Sequence, residues 1–196
     1  MSDPTAGLVR LLQVLDLLEI HYLVGGSVAS SFHGVWRATG DIDIVALVRS
    51  EDIDPLVEEL HREFYADAGQ IRTAIDAGRP FNVIHLPTSY KFDIFPLISD
   101  PYQQVQFGRR KFEQAKVFGT EPIEFAVATA EDVILSKLRW YRLRGERSDQ
   151  QWNDVLGVIA VQGERLDLAY LREWARYLKV NDLLDQALPE RHEPFS

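Results

Sequence analysis

Three short motifs near the start of the chain carry groups that can bind phosphate and divalent metal ions. The first is Gly25-Gly26-Ser27, which stands between an apolar run and a short predicted helix. Backbone N–H groups at such a turn and helix start can receive phosphate oxygens. The other two motifs supply carboxylates, those of Asp41, Asp43 and Asp93. Together the motifs indicate a site for a phosphorylated ligand and a metal ion.

The spacing of the first two carboxylates places them on one face of a predicted strand. In Asp41-Ile42-Asp43-Ile44-Val45 the acids alternate with apolar residues. Asp41 and Asp43 are then about 6–7 Å apart along the strand, at roughly 3.3 Å of rise per residue. We expect Ile42, Ile44 and Val45 to face the core. Because uncompensated charge in an apolar run is costly, this pair indicates a shared metal site.

The third carboxylate lies on a second alternating segment, Lys91-Phe92-Asp93-Ile94-Phe95. If that strand pairs beside the first, at about 4.8 Å, Asp93 joins the same cluster. Three acids on one patch need cations, and Mg²⁺ or Mn²⁺ would serve. Two divalent ions roughly 3.5–4 Å apart can activate an attacking oxygen and stabilise a leaving pyrophosphate, as nucleotidyl transfer requires. The alternative for Asp93 is an acid on an edge strand.

The order of these motifs resembles that of the nucleotidyltransferase superfamily, which includes the polymerase-beta-like enzymes. That order is Gly-Gly-Ser, a helix, Asp-x-Asp on a strand, and a third Asp on a later strand. More narrowly, the chain is similar to small bacterial nucleotidyltransferase-like proteins of undefined substrate, relatives of the abortive-infection toxin group. The residues that carry this resemblance are Gly25-Gly26-Ser27-Val28-Ala29, Phe32-His33-Gly34 and Arg37-Ala38-Thr39-Gly40-Asp41-Ile42-Asp43. The match is good over residues 21–95 and loose over about half of the remaining chain.

The resemblance implies an enzyme that moves a nucleoside monophosphate from an NTP to an acceptor and releases pyrophosphate. In this interpretation Asp41 and Asp43 hold the metal ions, and Asp93 binds the second metal and helps to deprotonate the acceptor. The predicted catalytic and metal-binding residues are therefore Asp41, Asp43 and Asp93. The predicted nucleotide-binding residues are Gly25, Gly26, Ser27 and Lys137.

Lys137 enters through the resemblance, because the toxin-like relatives carry a lysine on a helix followed by a basic and acidic segment. Asp149 or Asp154 would match the later acid. The segment lacks the Arg-x-Lys-Asp pattern of those relatives, so no precise role passes to Arg147 or Asp154. The alternative is a structural lysine that extends along its helix to reach water. If Lys137 binds the nucleotide, we expect a partly exposed side chain that contributes little to stability.

Two other enzyme classes use Asp-x-Asp. Haloacid-dehalogenase phosphatases need Asp-x-Asp-x-Thr after a strand, but here Val45 takes the place of the threonine and the acids begin the apolar run. Metal-dependent glycosyltransferases carry Asp-x-Asp after a long nucleotide-binding half, whereas only 40 residues precede Asp41. Both readings are disfavoured.

A competing hypothesis from a different class is a catalytically silent nucleotide-binding protein, or a partner in a toxin–antitoxin pair. Such a protein would keep the fold without turnover. The presence of all three carboxylates favours catalysis, because a pure binder would have little reason to retain their mutual repulsion.

The composition is that of a globular protein. Of 196 residues, 46% are hydrophobic and 26% are charged, and cysteine is absent, which excludes disulfides, thiolate zinc sites and a cysteine nucleophile. No signal peptide or transmembrane run is visible, so we expect a cytoplasmic protein without a membrane partner. The formal net charge of −9 argues against indiscriminate nucleic-acid binding. Arginine-rich patches could still hold an NTP or an RNA acceptor, and the acceptor, RNA or protein, stays open.

The pattern of apolar residues predicts an α+β fold followed by a C-terminal helical region, and the resemblance implies that its sheet is a nucleotidyltransferase-like mixed sheet flanked by helices. The period changes to helical at Thr129, which predicts a catalytic domain over residues 1–128 and a helical domain over 129–196. In the first domain we expect a helix from Ser50 to about Phe64, a weaker one over Asp67–Ala77 and a hairpin of Phe81–Leu86 with Tyr90–Ile98. Residues 101–118 are left undecided.

Overall fold

The computed structural model describes residues 5–35, 39–115 and 122–188, so Arg37, Ala38 and residues 116–118 of the segments discussed above lie outside it. The α-helices in these ranges are α1 Thr5–Leu17, α2 Gly26–His33, α3 Ile53–Leu60, α4 Ala68–Asp76, α5 Pro101–Arg109, α6 Ala130–Leu143, α7 Asp149–Gln162, α8 Leu168–Tyr177 and α9 Asn181–Ala187. The strands are β1 Tyr22–Val24, β2 Asp41–Ala46, β3 Phe64–Tyr65, β4 Phe81–His85, β5 Tyr90–Pro96, β6 Lys111–Ala115 and β7 Ile123–Val127. None of these helices is long and apolar enough to cross a membrane.

The strands form one seven-stranded sheet in the order β3-β4-β5-β2-β1-β7-β6. Two pairings are parallel, β2 with β5 and β1 with β7, where Val24 lies opposite Val127. The remaining pairings are antiparallel, including the predicted hairpin of β4 and β5. The α+β prediction with a mixed sheet flanked by helices is confirmed.

Strand β2 has one buried and one partly exposed face. Ile42, Ile44 and Ala46 are fully buried, whereas Asp41, Asp43 and Val45 are half-buried. The alternation expected of the two acids is confirmed. The expectation that Val45 faces the core was wrong, because an odd-numbered residue of this strand must share the face of Asp41 and Asp43.

The helix predicted to run from Ser50 to about Phe64 is shorter in the structure. A 3₁₀ turn at Ser50–Asp52 leads into α3, which ends at Leu60. Phe64 is buried in β3 and lies opposite His85 of β4. Pairing with a neighbouring strand therefore overrides the helical pattern at the end of this segment.

Side-chain caps explain where two further helices begin. The Asp67 carboxylate accepts a hydrogen bond from the Gln70 backbone N–H at 2.8 Å, which starts α4 where a weaker helix was expected. In the undecided segment Asp100 caps α5 in the same way through Gln103 at 3.0 Å, with Pro101 at the first helical position. Both caps follow the usual rule for a short acidic side chain before a helix.

The chain divides into two compact units, one of Met1–Ala29 with Arg37–Thr129 and one of Ser30–Trp36 with Ala130–Ser196. The second unit contains α6 to α9. It also includes the end of α2, which the sequence-based division at residue 128 assigns to the first domain. Within this unit Gly34 packs closely against α7, since a Cβ at Gly34 would lie 2.9 Å from the Val158 backbone N. Gln162 also donates a hydrogen bond to the His33 carbonyl at 2.7 Å.

His85 is a buried titratable side chain of the sheet, and its pKa is shifted. His85 is 3% exposed, and its ring contacts Phe64 at 5.0 Å between centroids. Its Nδ1 lies 2.8 Å from the Thr88 hydroxyl, and α1 approaches it at Gly7. Burial lowers the pKa of His85 below its ordinary value, while Glu63 acts in the opposite direction. The neutral imidazole is therefore the form that the fold accommodates.

We predict that His85 makes the protein less stable as the pH falls from about 7 to 5. Below the ordinary pKa of 6.5 the unfolded chain gains a proton at His85 that the folded protein still lacks, so unfolding becomes easier until the folded form is protonated as well. The loss from this one group is at most about 1.4 kcal/mol per pH unit. Urea unfolding across this range should show a smaller pH dependence for His85→Gln. The exposed His61→Gln variant should follow the wild type, and equal slopes in all three proteins would contradict the assignment.

Candidate functional site

The parallel pairing of β2 with β5 brings the three predicted acids onto one face of the sheet. Asp43 lies opposite Asp93, and Asp41 lies opposite Lys91. Residues opposite each other in neighbouring strands are about 4.8 Å apart, and residues two apart in one strand share a face. The strand pairing expected from the two alternating segments is therefore observed, and Asp93 lies inside the sheet, between β2 and β4, and not on an edge strand.

Lys91 is a cation within this group of acids. Its Nζ lies 2.7 Å from Oδ2 of Asp93, with the lysine side chain 44% exposed and the aspartate side chain 21% exposed. The hydrogen bond to Asp93 raises the pKa of Lys91, and the charges of Asp93, Asp41 and Asp43 add to this rise against the opposing effect of burial. Sequence analysis did not assign Lys91 to the site. Its position two residues before Asp93 on an alternating strand was the signal that could have done so.

The Gly-Gly-Ser turn lies directly against Asp43. The Gly25 backbone N–H donates a hydrogen bond to the Asp43 carbonyl at 2.9 Å. Gly26 has φ +53° and begins α2, and a Cβ at this position would lie 2.6 Å from Cγ of Asp43 and still closer to its Oδ2. Ser27 follows as a buried residue in the first turn of α2. The structure thus brings the predicted phosphate-binding turn into contact with one of the predicted metal ligands.

A second set of hydrogen bonds fixes the approach to Asp41. The Thr39 hydroxyl lies 2.9 Å from the Asp41 carbonyl and 3.3 Å from its carboxylate. Tyr90 donates a hydrogen bond to the Thr39 carbonyl at 2.5 Å. Burial, and after it the charge of Asp41, raise the pKa of Tyr90 to about 12, so this hydroxyl keeps the proton that it donates. Thr39 and Tyr90 therefore position Asp41, a role that the sequence patterns did not reveal.

The described residues do not contain an assembled cluster of three or more His, Asp or Glu side chains of the kind that holds a metal ion. One oxygen of Asp93 instead faces the Lys91 ammonium. The donor chemistry nonetheless fits Mg²⁺ or Mn²⁺, because both accept carboxylate oxygens. Mg²⁺ in particular is commonly bound by one or two carboxylates together with the phosphates of its substrate. Asp41 and Asp43 can supply such a pair.

Lys137 lies in the second unit and is buried. The side chain is 4% exposed, and its Nζ lies 2.7 Å from Oδ2 of Asp154, whose side chain is 6% exposed. This pair joins α6 to α7. The expectation that Lys137 is partly exposed was wrong, because its charge is compensated by Asp154 inside the helical unit. Removing one partner of a buried ion pair leaves the other charge without compensation, so we now expect Lys137 to matter for stability.

We predict that Gly26→Ala is strongly destabilising and that Gly25→Ala is the matched control. Alanine at Gly26 would need a left-handed backbone, which costs roughly 1–2 kcal/mol, and its Cβ would also overlap the Asp43 carboxylate. At Gly25 a Cβ would have its nearest contact at 4.0 Å. Urea unfolding should show a loss above about 2 kcal/mol for Gly26→Ala, against a change below about 1 kcal/mol for Gly25→Ala. Equal losses would show that the turn is not held against Asp43.

We predict that Lys137→Met destabilises the protein by about 3–5 kcal/mol, the usual cost of breaking a buried pair. The double variant Lys137→Met/Asp154→Leu removes both charges and should recover most of that loss. Chemical unfolding measures both effects. NTP binding by the double variant then tests the predicted role of Lys137 at the nucleotide. Wild-type affinity would assign the lysine to the structure of the helical unit alone.

No protein-family model matches the chain, and no curated protein sequence matches it. Solved structures do match its fold. The solution structure of the antibiotic-resistance factor ANT(2'')-Ia aligns with a TM-score of 0.56 at 14% identity and covers 91% of this chain and 95% of that one. The crystal structure of ANT(2'')-Ia in complex with adenylyl-2''-tobramycin gives 0.53 at 13% identity, covering 88% and 96%. An antigenic nucleotidyltransferase-like protein from Paracoccidioides brasiliensis gives 0.51 at 16% identity, covering 91% and 89%. The chain therefore has a nucleotidyltransferase-like fold, as the order of its motifs predicts.

Proposed function

We propose that the protein is a metal-dependent nucleotidyltransferase that transfers a nucleoside monophosphate from an NTP to an acceptor hydroxyl or phosphate and releases pyrophosphate. The observation that carries this proposal is the contact between the Gly25-Gly26 turn and Asp43, with Asp93 opposite it on the next strand. Phosphate oxygens bound at this turn would be repelled by the Asp43 carboxylate that lies against it. A divalent cation between the two removes that conflict, and this is the arrangement that NTP binding needs.

The residues of the first unit divide the work between the nucleotide and the acceptor. Asp41 and Asp43 would hold Mg²⁺ or Mn²⁺, which when bound neutralises charge on the triphosphate and polarises the phosphoryl oxygens. The Gly26 backbone N–H and the hydroxyl of Ser27 would bind the triphosphate, and Gly25 would hold the turn in place through its hydrogen bond to the Asp43 carbonyl. Asp93 would help to hold a second divalent ion and would take the proton from the acceptor hydroxyl. The acceptor oxygen then attacks the α-phosphorus, the bond from that phosphorus to the bridging oxygen breaks, and pyrophosphate leaves.

The acceptor is proposed by class only. ANT(2'')-Ia was crystallised with adenylyl-2''-tobramycin, so tobramycin is one acceptor to test. RNA and protein are the others. The net charge of −9 disfavours RNA unless a local arginine patch binds it. In the toxin-like version of the proposal, the acceptor is RNA or a cellular protein and the enzyme has an antitoxin partner.

A nucleotide-binding protein without turnover is the second candidate. The contact between Lys91 and Asp93 favours it, because one oxygen of the carboxylate that would receive the acceptor proton faces an ammonium group. The two candidates differ in the expected effect of replacing Asp93. An enzyme should lose pyrophosphate release, whereas a binding protein has no such activity to lose.

The proposed function predicts that Mg²⁺ or Mn²⁺ together with an NTP raises the melting temperature of the wild type. A ligand that binds only the folded state stabilises it by about 2.7 kcal/mol at a concentration a hundred times its dissociation constant. Asp43→Asn should lose most of this rise, since it removes a predicted metal ligand in contact with the turn. Asp76→Asn changes an exposed acid at the end of α4 and should behave as the wild type. An unchanged wild-type melting curve at millimolar metal and NTP would rule out the proposed site.

The proposed function also predicts that Asp93→Asn binds metal–NTP within about tenfold of the wild type, a difference of roughly 1.4 kcal/mol in binding free energy. The variant should nevertheless release no pyrophosphate. The physical reason is that Asp93 serves the acceptor, whereas Asp41 and Asp43 serve the nucleotide. Each labelled NTP is incubated with Mg²⁺ or Mn²⁺ and with cell extract or tobramycin, and RNA, protein and small molecules are analysed separately. If wild type and variant bind NTP but are equally inactive, the binding protein becomes the better description.

A further inference from the structure

Lys91 lies in the candidate site but has no assigned role in the proposed function. It shares the face of the acids because it stands two residues before Asp93, and its neighbour across the strands is Asp41. Its ammonium lies 2.7 Å from Oδ2 of Asp93. A positive charge therefore sits among carboxylates that, in the proposed function, serve a divalent cation.

The charges on this face explain why a cation is needed before any metal binds. Asp41, Asp43 and Asp93 lie on adjacent strands at neighbouring positions, so each carboxylate is repelled by the other two. The face is only half-buried, which lets water screen part of this repulsion. The Lys91 ammonium opposes the rest, and the folded protein can therefore keep the acids close together without a bound metal.

The same contact is easy to break. The Lys91 side chain is 44% exposed, so its ammonium can return to water without crossing a buried region. Ion pairs at that degree of exposure contribute little free energy. The four-carbon stem of lysine is flexible, so the charge can leave Asp93 while the backbone of β5 stays in place. A divalent cation, with twice the charge and a preference for carboxylate oxygens, is the stronger partner for these acids.

We propose that Lys91 is an internal counter-ion that occupies Asp93 in the metal-free protein and is displaced from it when the divalent cation binds. This inference rests on the proposed function, because it concerns the same metal site. Lys91 is a positioning residue in this scheme. It sets how tightly the metal binds and keeps Asp93 bonded to an ammonium until the metal arrives.

The test measures Mn²⁺ binding without nucleotide, from the signal of free Mn²⁺ in electron paramagnetic resonance titrations. Lys91→Met should bind Mn²⁺ about fivefold more tightly than the wild type, which corresponds to about 1 kcal/mol. Lys91→Arg keeps the charge and should stay close to the wild type. Lys111→Met makes the same change in net charge at an exposed position of β6 and should also stay close to it. Unchanged or weaker Mn²⁺ binding by Lys91→Met would overturn the inference.

Thermal unfolding gives a second readout, which stays informative if the Lys91 variants fold poorly. Without metal, Lys91→Met and Lys91→Gln should melt below the wild type, and added Mn²⁺ should raise their melting temperatures more than it raises that of the wild type. Variants that fold only with Mn²⁺ would support the inference. Variants that stay unfolded with Mn²⁺ would overturn it, because the metal could then not take the place of the lysine charge.

Asp43→Asn separates this inference from the proposed function. The change should abolish Mn²⁺ binding both alone and combined with Lys91→Met. If the wild type and Lys91→Met both fail to bind Mn²⁺ and the wild type transfers nothing, the proposed function and this inference fall together. If the wild type binds Mn²⁺ and transfers nucleotide while Lys91→Met binds Mn²⁺ no more tightly, only the role of Lys91 is wrong.

Discussion

The parallel register of β2 and β5 sets Asp43 beside Asp93, and the rest of the site is arranged around the repulsion between them. Two unit charges about 5 Å apart repel by roughly 3 kcal/mol at an effective dielectric constant of about 20. The register itself is fixed by the opposite face, because Ile42 and Ile44 of β2 and Phe92 and Ile94 of β5 are all fully buried. A slip by one residue would expose these four side chains and bury the acids. Apolar packing therefore holds the carboxylates together against their own electrostatic preference.

The Gly25-Gly26 turn adds a second constraint to the same place. The backbone of the turn approaches Asp43 so closely that only a residue without a Cβ fits at Gly26, and the positive φ of that residue makes the same demand. The close approach places this turn beside a strongly negative face. The Gly25-Gly26 turn, the Lys91 ammonium and the carboxylates of β2 and β5 are therefore neighbours in the folded protein. This combination suits a ligand that brings both negative phosphates and a positive metal ion.

The features that follow from local patterns could be predicted from sequence. The alternation of β2 and β5, the hairpin of β4 and β5 and the change to helices after Thr129 all depend on residues close together in the chain. Features that depend on distant partners could not. Phe64 leaves a helical pattern because His85 is available to pair with it, and Lys137 is buried because Asp154 on another helix compensates its charge. The alternation of β5 places Lys91 and Asp93 on one face, so their contact could be predicted from sequence. That this contact lies beside Asp41 and Asp43 depends on the register between β2 and β5.

The position of β1 in the sheet has a consequence for synthesis on the ribosome. This short strand is fully buried between β2 and β7, and its parallel partner begins only at Ile123. While the chain grows at about 5–20 residues per second, one edge of β1 must wait several seconds for the strand that covers it. A strand edge with unpaired backbone N–H and C=O groups is a template for pairing with another chain. The nascent protein therefore passes through a stage at which chaperone binding, or a slower translation rate, would decide how much of it escapes aggregation.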